Sequence, residues 1–241
     1  TGWPSPKFDI GAVVQLGMRF MKAGFYYKTF MWPTWALYEP LIRKPTGFGR
    51  VQPIKPRRSE QRHETCDVLI IGGGAAGISA ASSLMGSGLK VVLADEQPRL
   101  GGALMRERAT INKQPGAEWA LEQQARFEAA DDIEVLINTI VTGAYEGNFF
   151  TLVESDHDVG GDGRSGGLRS ERLWKLRAQH VILATGSIDR PLVFQDNDRP
   201  GIMLSSAVNR FVGEYGVAPG RAIAIFTNND GGHLTALSLL E

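Results

Sequence analysis

From residue 66 onward the chain alternates between short apolar runs and stretches of helical character. Residues 66–71 (Cys-Asp-Val-Leu-Ile-Ile) form an apolar run of the kind found in a strand buried on both faces. Glycines come next at 72, 73, 74 and 77. Residues 78–85 carry small and apolar side chains suited to a close-packed helix, which Gly86 and Gly88 end. Residues 90–95 make a second strand closing on Asp95. A strand–helix–strand unit of about 30 residues, with a right-handed crossover, is thereby predicted. Further on, residues 118–130 read as a helix and 133–137 as a strand, with 140–144 continuing the sheet edge. Residues 149–154 and 173–178 alternate like half-buried strands. Residues 181–184 are a buried strand running into Thr185 and Gly186. A helix over 207–215, a last strand over 222–226 and a helix from 235 complete the pattern. The elements predict an α/β fold built on a parallel sheet.

The flanking segments have other characters. Residues 1–40 are rich in aromatics, among them Phe20, Phe25, Tyr26, Tyr27, Phe30, Trp32, Trp35 and Tyr38. So much aromatic surface needs a cover, either the same subunit or another one. Val13, Leu16, Phe20 and Met21 suit one face of a short helix, while Pro33 and Pro40 interrupt the stretch beyond it. Residues 41–64 read as a proline-rich basic linker, either solvated or a docking strip for an acidic partner. The Gly-, Asp- and Arg-rich residues 155–170 read as a surface loop. The chain thus divides into three parts: an aromatic extension and linker over 1–64, a nucleotide-binding domain over 65–200, and the start of a second such domain over 201–241. The first residue is Thr1 and the last helix has no cap, so the chain reads as the interior of a longer subunit.

Composition narrows the function. Lys plus Arg and Asp plus Glu are 26 each, so the net charge is zero and a generally basic nucleic-acid binder is excluded. With 43% hydrophobic and 22% charged residues the chain is a folded domain, not a disordered one. No apolar run approaches the ~18 residues of a membrane span. The lone Cys66 rules out an intrachain disulfide.

The chemistry lies in the glycines. Residues 72–77 (Gly-Gly-Gly-Ala-Ala-Gly) have the G-x-G-x-x-G spacing. Gly72 permits the tight turn, Gly74 lets backbone approach a pyrophosphate, and Gly77 allows the helix to press on the sheet. Ala75 and Ala76 open the helix, whose N-terminal N–H groups face the phosphates. The strand before, the helix after and Asp95 at the end of the second strand make a dinucleotide-binding fingerprint. Asp95 and Glu96 are candidates for the ribose hydroxyls, which favours NAD or FAD over a 2′-phosphorylated nucleotide. Gly101 and Gly102 suit a loop passing close to the ligand. Thr185 and Gly186, at a strand end, border the same crevice. The fold class is therefore a Rossmann-like FAD/NAD(P)-binding domain with a parallel sheet, crossover helices and a β-meander, succeeded by the start of a second dinucleotide-binding domain. The turn of that second domain, residues 227–232 (Thr-Asn-Asn-Asp-Gly-Gly), lacks the fingerprint spacing.

Several segments carry a resemblance to a family: residues 24–33 (Gly-Phe-Tyr-Tyr-Lys-Thr-Phe-Met-Trp-Pro), Asp95-Glu96-Gln97, residues 171–175, 184–186, 190–194, 197–201, 215–220 and 226–230. The chain resembles the alpha subunits of heterotetrameric sarcosine oxidases, flavoprotein-like subunits with two dinucleotide domains. That resemblance implies a cytoplasmic complex with beta, gamma and delta subunits. It oxidatively demethylates sarcosine to glycine with oxygen and tetrahydrofolate, giving hydrogen peroxide and methylenetetrahydrofolate. FMN and FAD are then expected on the beta subunit and NAD on this one. The implied NAD contacts are Ala76, Asp95, Glu96, Gln97, the segment around Ala103 (beside Gly102), and Val141 with Thr142. Folate chemistry belongs to a C-terminal region, and a ferredoxin-like region to the N-terminus, neither complete here. No catalytic residue is assigned to this chain. Two other readings stay open: an FAD-binding subunit of a related opine or amino-acid dehydrogenase complex, and a docking subunit with a non-redox nucleotide.

Other chemistries find no support. Residues 155–167 mimic a calcium loop, but Gly160 and Gly167 stand where oxygen ligands are required. His63, His157, His180 and His233 have no metal or triad spacing, so no metal is expected. No serine lies in a G-x-S-x-G elbow. Cys66 reads as inert core.

Overall fold

The computed structural model describes residues 4–5, 8–10, 12–13, 24, 30–46, 58–155 and 170–240. The chain forms two compact units, Thr1–Lys55 and Pro56–Glu241.

In the first unit, strands β1 (Pro4–Ser5) and β2 (Phe8–Asp9) pair antiparallel. Helix α1 (Trp35–Thr46) starts at Thr34, whose Oγ1 accepts the Ala36 N–H at 3.2 Å. The helix runs through Pro40, where the sequence predicts a break, and through Pro45, which the sequence assigns to the extended linker. Each proline removes one ladder hydrogen bond. Against that loss stand a Glu39–Arg43 ion pair and the Phe30 ring, which packs against Trp35 at 6.3 Å and Tyr38 at 5.3 Å between centroids. Tyr38 also donates its hydroxyl to Trp32 O at 2.8 Å. Phe20, Phe25, Tyr26, Tyr27 and the expected helix through Leu16 and Met21 lie outside the described residues.

The second unit is built on a six-stranded mixed sheet. Its strands are β3 (Arg58–Ile71), β4 (Val91–Ala94), β7 (Ile133–Leu136), β8 (Thr139–Tyr145), β9 (Phe149–Ser155) and β10 (Ser170–Leu183), in the order β7-β4-β3-β10-β9-β8. A small antiparallel pair, β5 (Thr110–Ile111) with β6 (Gln114–Pro115), stands apart; its turn residues Asn112 and Lys113 both have positive φ, the geometry of a tight hairpin. β7, β4, β3 and β10 are parallel, while β8, β9 and β10 form the antiparallel meander. The helices are α2 (Ala75–Leu84), α3 (Gly116–Glu128), α4 (Ser205–Gly213) and α5 (Asp230–Leu240).

Period-two alternation distributes the core. Val68, Ile70, Val91, Leu93 and Ile133 share one cluster with Ile78 and Ala81 of α2 and with Ala120 and Phe127 of α3. Leu69, Val92, Ala94 and Leu136 share the other with Phe150, Leu152, Trp174 and Leu176 of the meander. Phe127, Leu93 and Ile78 are fully buried, each stabilising the fold by about 1.5–3 kcal/mol. The Rossmann-like α/β architecture predicted from the sequence is the one observed.

Two predicted boundaries change. The first strand begins at Arg58, not at Cys66, so part of the expected linker is sheet. Residues 58–65 pair in parallel with 170–177 of β10, while β4 joins β3 only from Val68. On that second side the segment is an open edge among the described residues. Glu60 pairs with Arg172 at 3.2 Å, Lys175 donates to Gln61 at 2.9 Å, and the Arg62 and Arg172 guanidinium groups lie over the Trp174 ring. Side chains from Ser59 to His63 are exposed on both faces, so no hydrophobic period marks the strand. The start of the expected linker, 41–46, is the end of helix α1, and only 47–57 of it, with the loop 156–169, lies outside the described residues. The predicted strand over 222–226 is also corrected: these residues form no strand. Among the described residues nothing offers them a ladder, and Phe226 instead meets Phe194 edge-on at 5.6 Å.

Candidate functional site

The glycine turn joins β3 to α2 at the carboxyl ends of the parallel strands. Gly72 has φ +105°, and a Cβ there would lie 2.3 Å from Ala184 O, where β10 ends. A Cβ on Gly77 would lie 1.8 Å from Gly72 O, so helix and turn touch through backbone. Gly74 differs: a Cβ there meets nothing within 4 Å. It caps α2, and the first intrahelical bond runs from the Ile78 N–H to Gly74 O at 2.9 Å. The N–H groups of Ala75, Ala76 and Gly77 therefore end the helix without intrahelical acceptors. Ala75 and Ala76 are exposed. Open space before unpaired N–H groups is the cradle a phosphate needs.

Asp95 closes the side of this cradle. Its Oδ2 accepts the Gly73 N–H at 2.5 Å and its Oδ1 accepts the Gln97 N–H at 2.8 Å. Burial pushes its carboxyl above the ordinary carboxylate value, assisted by the Glu96 charge and opposed by the two backbone bonds. A carboxylate has about four acceptor sites, so two bonds leave capacity for hydroxyl donors. Glu96 is exposed, and its Oε1 accepts the Gln97 side-chain amide at 3.1 Å.

Gly101 and Gly102 cross over the turn: the Gly101 N–H donates to Gly73 O at 2.8 Å, and Gly101 bridges Gly74. Ala103 lies next in the 3-10 turn Gly102–Met105, half-buried. Thr185 and Gly186 lie exposed beyond Ala184, whose N–H donates to Ile71 O at 2.8 Å. Thus the structure brings together Gly72, Gly74, Ala75, Ala76, Gly77, Asp95, Glu96, Gln97, Gly102, Ala103, Thr185 and Gly186 around one strand-end crevice. Val141 and Thr142 sit further along β8, which enters beside Asp95 through a Thr139 N–H bond to Asp95 O at 2.8 Å. Val141 packs against the meander core, and the Thr142 hydroxyl lies 3.0 Å from that of Thr151.

One neighbour of this crevice carries no sequence signal. Arg210 of α4 donates from Nη2 to Gln97 Oε1 at 3.3 Å. Helical periodicity identifies α4, but the contact spans 113 positions and only the tertiary fold creates it.

A shallow cleft of about 360 Å³ lies elsewhere, lined by Cys66, Asp67, Lys90, Arg177 and Gln179 among others. It is roughly 20 Å from the glycine turn, given six residues of strand. Burial pushes the Cys66 thiol up to about 11, so it stays protonated and is no nucleophile at neutral pH. Among the described residues no group of three or more His, Cys, Asp or Glu is placed to hold a metal ion. No helix among them is long and apolar enough to cross a membrane.

A glycine-rich strand–helix turn, an acid at the next strand end and a meander define a dinucleotide-binding oxidoreductase domain, and the chain belongs to the pyridine nucleotide-disulphide oxidoreductase family, whose model matches residues 66–212. Within that class its relatives are specific. It is 43% identical over 241 residues to sarcosine oxidase subunit alpha of Rhizobium meliloti (strain 1021), which covers 98% of this chain and 24% of that protein. It is 41% identical over 188 residues to the subunit of the same name from Corynebacterium sp. (strain P-1), covering 76% of this chain and 19% of that protein. The chain thus spans about a quarter or less of the length of these relatives. Among solved structures, L-proline dehydrogenase from P. horikoshii superposes with a TM-score of 0.54 at 26% identity, over 71% of this chain and 32% of that one. The resemblance read from residues 24–33 and the later segments is borne out.

Proposed function

We propose that this chain is the NAD-binding portion of a sarcosine oxidase alpha subunit. Gly74 carries the reading: it opens on free space at a helix N-terminus, with Asp95 alongside. Those residues fit a dinucleotide. Gly74 and the N–H groups of residues 75–77 receive the pyrophosphate, and the free acceptor sites of Asp95, with Glu96, receive the ribose hydroxyls. Gly102, Ala103, Thr185 and Gly186 wall the crevice; Val141 and Thr142, further along β8, are assigned to its adenosine side by the family resemblance alone. When bound, NAD supplies a hydride-accepting nicotinamide. This chain binds and orients the nucleotide, and no catalytic side chain is assigned to it.

The complex so formed is a cytoplasmic assembly with beta, gamma and delta subunits. It oxidatively demethylates sarcosine to glycine with oxygen and tetrahydrofolate, releasing hydrogen peroxide and methylenetetrahydrofolate. FMN and FAD reside on the beta subunit, and folate binds in a region outside this chain. The identity to two alpha subunits over most of this chain supports the assignment.

Nucleotide released by denaturing the purified complex tests it. Mass analysis is expected to find NAD in the wild type and none in Gly74→Val, where the new side chain fills the cradle. FAD released from this subunit in place of NAD would replace this reading with that of an FAD-binding dehydrogenase subunit. Loss of NAD in Gly74→Val with full sarcosine oxidation retained would make the nucleotide a structural, non-redox group.

A further inference from the structure

We infer that Arg210 is a positioning residue for the adenosine end of the nucleotide, acting through Gln97; this rests on the dinucleotide reading above. Helix α4 is fixed at both ends to segments that leave the crevice. At its start, Asp189, three residues after Gly186, accepts the Ser206 N–H at 2.9 Å and the Ser205 hydroxyl at 3.2 Å on one oxygen. At its end, Gly213 lies against the backbone of Arg106, just past the 102–105 turn; a Cβ there would be 2.6 Å from Arg106 O. Val208 between them is buried. The helix therefore cannot shift without moving the loops on either side.

From that helix Arg210 reaches the third loop. Its Nε lies 3.5 Å from Glu214 Oε2, one turn on, and its Nη2 donates to Gln97 Oε1 at 3.3 Å. Arginine only donates, so it dictates which end of the Gln97 amide faces it. The oxygen faces Arg210, and the amide nitrogen is left to donate to Glu96 Oε1 at 3.1 Å. The Gln97 backbone N–H meanwhile holds Asp95 Oδ1. Gln97 thus contacts both acids expected at the ribose, Glu96 through the side chain that Arg210 orients and Asp95 through its backbone N–H. Without Arg210 the amide is free to turn over, and Glu96 loses its only side-chain anchor among the described residues.

A double-mutant cycle on the assembled complex tests this, with NAD and AMP as probes. Arg210→Met and Gln97→Ala are each expected to weaken both probes about fivefold, the scale of one lost polar interaction. The double variant is expected to bind no more weakly than either single one, because both remove the same link. A merely structural role for Arg210 would make the two losses multiply. Arg210→Lys, which keeps a donor but not the fork, is expected to recover part of the affinity, and it replaces the Met variant in the cycle if the latter fails to fold. Wild-type affinity in Arg210→Met, or multiplied losses, overturns the inference alone. A wild-type complex that binds neither probe overturns the dinucleotide reading, and this inference with it.

Discussion

Asp95 holds two backbone N–H groups while lying in a setting that disfavours its charge. Burial raises its folded pKa above the ordinary 3.8, so the folded chain gives up this proton less readily than the unfolded one. Its contribution to stability is therefore fully present below about 3.8 and is lost as pH rises through the raised folded value. On the proposed reading nucleotide binding has the opposite sign, because ribose hydroxyls would donate to the ionised form. NAD affinity of the complex is expected to fall as pH drops through the raised pKa, and titrations at stepped pH measure this. Asp95→Asn should weaken NAD by roughly 10- to 100-fold, the scale of hydrogen bonds to a charged group, and flatten the pH profile. An unchanged profile in Asp95→Asn would remove Asp95 from the site. Asp189 runs the other way: the Ser206 N–H holds its carboxyl low, so its stabilisation of α4 is present above 3.8 and fades as pH falls.

At the scale of elements, the glycine turn separates two demands. Gly77 is required by the fold, since any Cβ there runs into Gly72 O. Gly77→Val should cost about 3 kcal/mol or more and lower the melting temperature. Gly74→Val should cost only about 1 kcal/mol, the scale of a weakened helix cap, while abolishing nucleotide binding. Thermal melts of the two variants, with and without NAD, check the contrast; equal melting temperatures would refute it. The same βαβ unit is the most legible part of the sequence, because an apolar run, a glycine turn and a terminal acid each constrain the next. Residues 58–65 are illegible because both faces of that strand are polar, and its stability comes from a partner more than 100 positions away. Helix α1 passes two prolines, Pro40 and Pro45, that local rules read as stops. Residues 222–226 have the apolar alternation of a strand but no neighbour to pair with among the described residues. The Arg210–Gln97 contact is purely tertiary, beyond the reach of any periodicity.

For the whole molecule, a nucleotide bound as proposed would span three loops of one sheet and link local binding to global stability. NAD at 100 times its dissociation constant should stabilise the nucleotide-binding unit by about 2.7 kcal/mol. For a unit of this size that is a rise of roughly 5–10 °C in melting temperature, measurable by calorimetry on the complex. No shift with NAD would remove the nucleotide from this chain. Among the described residues the fold also leaves a hazard, the open side of residues 58–65 in β3. A bare strand edge of eight residues is a template on which a second copy could dock and begin to aggregate. Glu60, Arg62 and Glu64, which help hide the strand from sequence inspection, are also its defence, for charge along an edge repels an incoming strand. A chain with valine or isoleucine in their place would advertise the strand plainly and would clump while folding.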